Sequence, residues 1–244
     1  MKLCRIVALC VIWLCMIHEK VVIILPVEMK LFKNHEKWLK HRRNYIGGSD
    51  ASAIVGCNPY MDNVTLWQIK TGQIEQEDIS DKPYVQFGIA AEPLIRELFK
   101  LSYPQYEMFY EENNSFLNDK YPFAAASLDG ELVEIETGRK GIWECKTSEI
   151  VSSMHKEKWQ GKIPMNYYCQ LLHYLLVRED CDFAHLTALL TFRFRDEEIY
   201  QQIKNYHIER SDVSEDIKFL ESSEIRFWKQ VQERKRPGLI LPEV

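Results

Sequence analysis

Two carboxylates and a lysine, Asp129 and the run Glu144-Cys145-Lys146, stand in the pattern D-x14-E-x-K. Hydrolysis of a phosphodiester asks for that inventory, because it needs an activated water, neutralisation of the charge growing on phosphate, and stabilisation of the leaving oxygen. Two magnesium ions roughly 4 Å apart supply all three. Magnesium takes hard oxygen ligands and keeps several waters, so two or three carboxylates suffice to hold it. On this reading Asp129 and Glu144 bind the ions, with the Cys145 backbone carbonyl as an extra ligand and Glu92 entering from a long helix; manganese would substitute. Lys146 would position the attacking hydroxide and offset negative charge. The same pattern also describes an exposed strand carrying a salt bridge, and the motif alone does not decide between the two.

The surrounding residues show what must position these groups. Asp129 sits in the turn signal Ser127-Leu128-Asp129-Gly130, after the small-residue stretch Phe123 to Ala126, and Glu144 follows the turn-like run Thr137 to Gly141. Two neighbouring strands are expected. Strand side chains alternate, so Glu144 and Lys146 share one face while Trp143 and Cys145 take the other. Phe87, Ala91, Leu94 and Leu98, with Ala90, Ile95 and Phe99, repeat at helical spacing and predict a long amphipathic helix from about Gly88, in which Pro93 is tolerable only in the first turn. Shorter helices are expected at Trp38 to Arg43, Ala51 to Val55 and Val64 to Thr71. Strands are expected at Glu107 to Tyr110, Phe116 to Asn118, Phe123 to Ser127, Glu131 to Ile135, Gly141 to Thr147, Ala184 to Phe194 and Glu198 to His207. Helices from Asn166 to Val177 and from Val213 to Arg234 complete the order, which is that of an α/β fold with a central mixed sheet flanked by helices.

Composition narrows the class. The chain has 244 residues and 46% hydrophobic content, enough for a real core and one catalytic domain. Seven cysteines contain no C-x-x-C pair, which argues against a zinc knuckle or a disulfide framework and fits a reducing, cytoplasmic setting. Cys57, Cys145, Cys169 and Cys181 lack the clustering that an iron–sulfur centre uses. A formal charge of -5 excludes a broadly basic coat, so contact with DNA must use a local patch or an enclosed groove. No G-x-x-x-x-G-K is present, so ATP-driven unwinding is not expected. His173 and Tyr174 read as packing or substrate-proximal residues, Phe227 and Trp228 as packing of the last helix, and Lys229 to Lys235 as a solvated face.

Residues 1–28 differ from the rest. Lys2 and Arg5 precede the apolar run Ile6 to Ile17, and a second run, Val21 to Val27, contains Pro26. Neither reaches the roughly 20 residues needed to span a bilayer, and no small-x-small cleavage site follows. We therefore divide the chain into a hydrophobic extension, 1–28, and a single domain, 29–244, with Met29 as a natural start; a membrane-associating segment is the competing reading.

The segments around the acids resemble the YqaJ-type viral recombinase family, relatives of lambda exonuclease. The matching stretches are Arg42 to Tyr60, Phe87-Gly88 through Glu92, Ser127 to Gly130, Glu144 to Thr147, and Ile163-Pro164 leading to Tyr167 and Gln170. The resemblance implies a restriction-endonuclease-like PD-(D/E)XK core and a magnesium-dependent 5′ to 3′ exonuclease on double-stranded DNA ends, leaving 3′ overhangs for recombination. The position of the fold's proline is Leu128 here, outside the reacting groups. By position, Glu92, Asp129 and Glu144 match the family's metal acids, Lys146 its lysine, Tyr167 and Gln170 its Y-x-x-Q pair, and Asp119 a further, weaker acid that also reads as a plain turn. Arg42 and Ser49 match the pair that grips a terminal 5′-phosphate, for which an arginine fork and a hydroxyl are suited; Arg43 is an alternative to Arg42. A single-strand annealing protein and a homotrimer are the partners implied. The rivals are an endonuclease of the same fold and a catalytically silent DNA-binding scaffold.

Overall fold

The structure, a computed structural model, describes residues 27–193 and 198–241; the apolar leader runs lie almost entirely outside them. In chain order the elements are β1 (Val27–Leu31), α1 (His35–Arg42), α2 (Gly48–Ile54), α3 (Asn63–Lys70), α4 (Pro83–Ser102), β2 (Tyr106–Phe109), β3 (Asn114–Asn118), β4 (Ala125–Ala126), β5 (Gly130–Glu134), β6 (Lys140–Ile150), α5 (Ser153–Glu157), α6 (Met165–Val177), β7 (Phe183–Arg193), β8 (Ile199–Glu209) and α7 (Ser214–Gln232). Five strands form a mixed sheet in the order β2-β5-β6-β7-β8, in which only β6 and β7 run parallel, and β1-β3-β4 form a smaller antiparallel sheet.

Period-two alternation divides the two cores. Ile142 of β6 and Ala184, Leu186, Ala188 and Leu190 of β7 join the cluster under α6, with Leu171 and Leu175. Trp143, Cys145 and Phe183 face the other way and pack on Ala91, Ile95 and Phe99 of α4. Local caps fix the short helices: the Asp62 carboxylate accepts from the amides of Val64 and Thr65 at 2.8 Å each, and Asn34 caps α1 through Lys37 N at 3.0 Å. At Gly141 an added Cβ would lie 2.1 Å from the Phe183 ring, so the strand crossing there admits no side chain.

Several expectations need correction. Helix α4 begins at Pro83, not near Gly88, and the N1 proline is Pro83. Pro93 lies in the helix interior, where it removes the amide that would bond the Ile89 carbonyl, and Ile89 and Pro93 are both exposed. The early start was hidden because the first turn of α4 buries nothing and carries no apolar period. The expected strand Phe123 to Ser127 contracts to two residues, since its flank instead pairs with Ile46. Strand β1 and helix α5 were not expected. Strand β1 pairs with β3 from Val27 onward, so the boundary drawn at Met29 falls inside a strand.

Candidate active site

Strand β6 outruns its neighbour: β5 starts at Gly130, opposite Trp143, so Glu144 and the residues after it have no β5 partner. The gap beside them is where the acids meet. Asp129, the residue just before β5, fills it and accepts from the Cys145 amide at 2.9 Å. A strand residue's N–H and C=O point to the same edge, so the Cys145 carbonyl also faces this gap. Asn114, at the start of β3, holds the Asp129 turn in place: its side chain accepts from Leu128 N at 2.9 Å and donates to Leu128 O at 2.8 Å.

Glu144 points from β6 toward α6 and is buried. Its Oε1 accepts from Lys146 Nζ and, at 2.7 Å, from Gln170 Nε2. Its Oε2 is buried without a hydrogen-bond partner among the described residues. Glu92 enters from α4 on the opposite face of the sheet and pairs with Arg96, whose Nε also donates to the Asp129 carbonyl at 3.2 Å. The three acids thus reach the gap from both faces, around the end of β5.

Electrostatics within the cluster run in one direction. Burial, followed by the charge of Asp129, pushes the Glu144 carboxyl up to about 8 despite Lys146. Burial and Asp129 likewise push Glu92 up to about 7 despite Arg96. Burial would lower Lys146, but Glu144 and Asp129 hold its ammonium above the ordinary lysine range. Three carboxylates, Asp129, Glu144 and Glu92, stand against two cations, Lys146 and Arg96, so the cluster carries more negative charge than its own cations offset.

A cleft joins this gap to the other expected residues. It is bordered by Arg42, Ser49, Glu92, Asp129, Glu144, Lys146 and Gln170 together. The Arg42 guanidinium lies 4.5 Å over the Trp38 ring and donates to Ser49 Oγ at 3.3 Å, whereas Arg43 is exposed and absent from the cleft wall. Tyr167 backs Lys146, whose Nζ stands 5.4 Å from its ring centre, and does not border the cleft. Asp119 is the expected residue that the structure does not bring to the cleft. Strand β3 starts at the cleft with Asn114 and runs away from it, and Asn118 at its end binds the Val177 carbonyl at the far end of α6, 3.0 Å away. Asp119 follows as an exposed turn residue.

Sequence reasoning missed Arg96, Asn114 and Trp38. Only the first left a signal, since Glu92-x-x-x-Arg96 is a helical i, i+4 ion pair.

No three His, Cys, Asp or Glu side chains among the described residues stand close enough, as they lie, to enclose a metal. The donor set nonetheless suits a hard divalent cation: carboxylates of Asp129, Glu144 and Glu92, a backbone carbonyl, and one orphaned carboxylate oxygen in a cluster short of positive charge. The Cys145 thiol takes no part, since it faces the α4 core. No helix among the described residues is long and apolar enough to cross a membrane.

With this geometry in hand, comparison with known proteins is informative. The profile of the YqaJ-like viral recombinase domain matches residues 37–181. The uncharacterized protein YqaJ of Bacillus subtilis (strain 168) is 31% identical over 201 residues, which is 80% of this chain and 56% of that protein; the chain therefore spans little more than half of its relative. The crystal structure of an alkaline exonuclease, LHK-Exo, from Laribacter hongkongensis superposes with a TM-score of 0.57 at 14% identity, covering 82% of this chain and 94% of that one. Its complex with dAMP gives 0.55 at 13% identity over the same shares. The shared architecture is the PD-(D/E)XK fold, as the sequence implied.

Proposed function

The chain belongs to the YqaJ-like viral recombinase domain family, and from that premise we propose that it is a metal-dependent deoxyribonuclease that digests double-stranded DNA from its ends in the 5′ to 3′ direction. The observation that carries this reading is the orphaned oxygen of Glu144 beside Asp129 and Lys146, at the end of a cleft whose other end holds Arg42 and Ser49. Asp129, Glu144, Glu92 and the Cys145 carbonyl would hold magnesium, with manganese as a substitute. A divalent ion there supplies Lewis acidity, lowering the pKa of a bound water and drawing charge from the phosphoryl oxygens.

The chain's own groups do the rest. Lys146 stays protonated beside two carboxylates, so it acts as a donor to the phosphate or the attacking oxygen and not as a base. Gln170 fixes the rotamer of Glu144. Arg42, set over the Trp38 ring, and the Ser49 hydroxyl offer a fork and a donor to a terminal 5′-phosphate. The same reading places a single-strand annealing protein on the 3′ overhang and a ring-shaped homotrimer around DNA, on family resemblance; a monomer in sedimentation would remove the ring.

The test is incubation with magnesium and linear duplex DNA carrying 5′-phosphate or 5′-hydroxyl ends, beside a closed circle and a Lys146→Ala control. Mononucleotides released from phosphorylated linear ends and absent in the control are expected. Cleavage of the circle would mark an endonuclease, and binding without cleavage a silent scaffold.

A further inference from the structure

Tyr174 is a cleft residue that the reading above leaves without a task. Tyr174 lies one helical turn after Gln170 on α6, so the two share a face. Its ring is buried, yet it borders the same cleft as Glu144, Lys146 and Ser49. Gln170 Nε2 has two hydrogens and two acceptors, Glu144 Oε1 and the Tyr174 hydroxyl, each at 2.7 Å. The tyrosine oxygen is therefore the acceptor in that bond, and its own proton must point elsewhere. Among the described residues no acceptor for that proton is found.

Two contacts fix where the hydroxyl stands. On one side is the chain Lys146–Glu144–Gln170. On the other, an added Cβ at Gly48 would fall 2.5 Å from Tyr174 Cε1, so the ring is pressed against the backbone directly before Ser49. Tyr174 thus sits between the acid end of the cleft and its Arg42–Ser49 end.

We propose that the Tyr174 hydroxyl is a substrate-contacting residue that donates a hydrogen bond to a non-bridging oxygen of the scissile phosphodiester. This rests on the nuclease reading above and adds a specific atom to it. A phosphate oxygen is the acceptor that fits: anionic, brought in by substrate, and drawn to the same place by the Lys146 ammonium. Gln170 then has a double duty, orienting Glu144 and turning the phenol proton outward.

The experiment compares wild type with Tyr174→Phe on linear duplex DNA in magnesium. Phenylalanine keeps the ring against Gly48, so the melting temperature should stay within a few degrees. Loss of one hydrogen bond to a charged group should lower kcat about ten- to a hundredfold with KM nearly unchanged. A second readout uses a single phosphorothioate at the scissile position, as separated Rp and Sp diastereomers. Sulfur is the poorer acceptor, so wild type should discriminate between the diastereomers more than Tyr174→Phe does. That ratio is internal to each preparation and does not move with the fraction folded. A variant with wild-type kcat, or with an unchanged diastereomer ratio, overturns this inference alone. A wild type that releases no nucleotide overturns the nuclease reading and this inference with it.

Discussion

Two buried carboxylates lean on helix α6, and each leaves one oxygen without a partner among the described residues: Glu144 Oε2 at the cleft and Glu224 Oε2 in the core. Their settings differ. Glu224, from α7, meets His173 Nδ1 at 2.8 Å, and His173 Nε2 faces the Ala125 carbonyl at 3.1 Å. Both ring nitrogens face acceptors, the arrangement that an imidazolium beside a carboxylate would make. That pair is sealed, both side chains being wholly inaccessible, and its charges cancel. Glu144 has Lys146 but also Asp129 nearby, with Glu92 close behind, and it borders open space. An orphaned oxygen in a balanced, closed pair is a packing concession; one in an over-negative, open cluster is where we propose that a cation sits.

The comparison breaks most visibly at Glu144. Glu144→Gln keeps the size and removes the charge, so nuclease activity should fall on the order of a thousandfold. Magnesium should raise the melting temperature of wild type but not of this variant, and the metal-free variant should be at least as stable as wild type, since repulsion is relieved. A variant that still gains stability from magnesium would move the ion elsewhere.

Glu224→Gln should do the reverse. Activity per folded molecule should stay near wild type, while the fold loses about 1–3 kcal/mol, the penalty of a broken buried bond, read as a drop of several degrees in melting temperature. The pH dependence sharpens this. Burial would lower His173, but Glu224, Ala125 and the more distant Asp50 raise it above its ordinary value of 6.5. A raised histidine binds its proton more tightly folded than unfolded, so its contribution is complete below pH 6.5 and fades as pH climbs through the folded value. Wild type should therefore lose more stability than Glu224→Gln across that window; parallel melting curves from pH 6 upward would show that the pair is neutral.

The difference between these two carboxylates also marks what was legible in the chain. Glu144 and Lys146 share a face by strand alternation, and the D-x14-E-x-K spacing suits two strands joined by a turn, so that half of the site was readable from local rules. Helix α6 was readable to within one residue. Glu224 lies 51 positions from His173, and no periodicity connects residues so far apart. Asn114, which holds the Asp129 turn from 14 residues away, was missed for the same reason, and its strand was expected only from Phe116. The choice of Arg42 over Arg43 needed the end of α1, where only the first stacks on Trp38.

The smallest expected effect separates two aspartates ten residues apart. Asp129 stands in the gap beside β6, and Asp119 stands on the exposed turn where β3 has left the cleft. The D-x14-E-x-K pattern gave Asp129 its share in the expected metal site, and family resemblance gave Asp119 a weaker one. The strand between them is what divides them, because its five residues carry the chain from Asn114 at the cleft wall to Asn118 at the far end of α6. A surface change away from packed or paired groups moves stability by no more than about 0.5 kcal/mol, so Asp119→Asn should leave the melting temperature nearly unchanged and nucleotide release within about twofold of wild type. Asp129→Asn, measured beside it, should abolish release. A loss of tenfold or more at Asp119 would mean that the end of β3 turns back toward the cleft when DNA is bound, and that the acids of this site number one more than the free protein brings together.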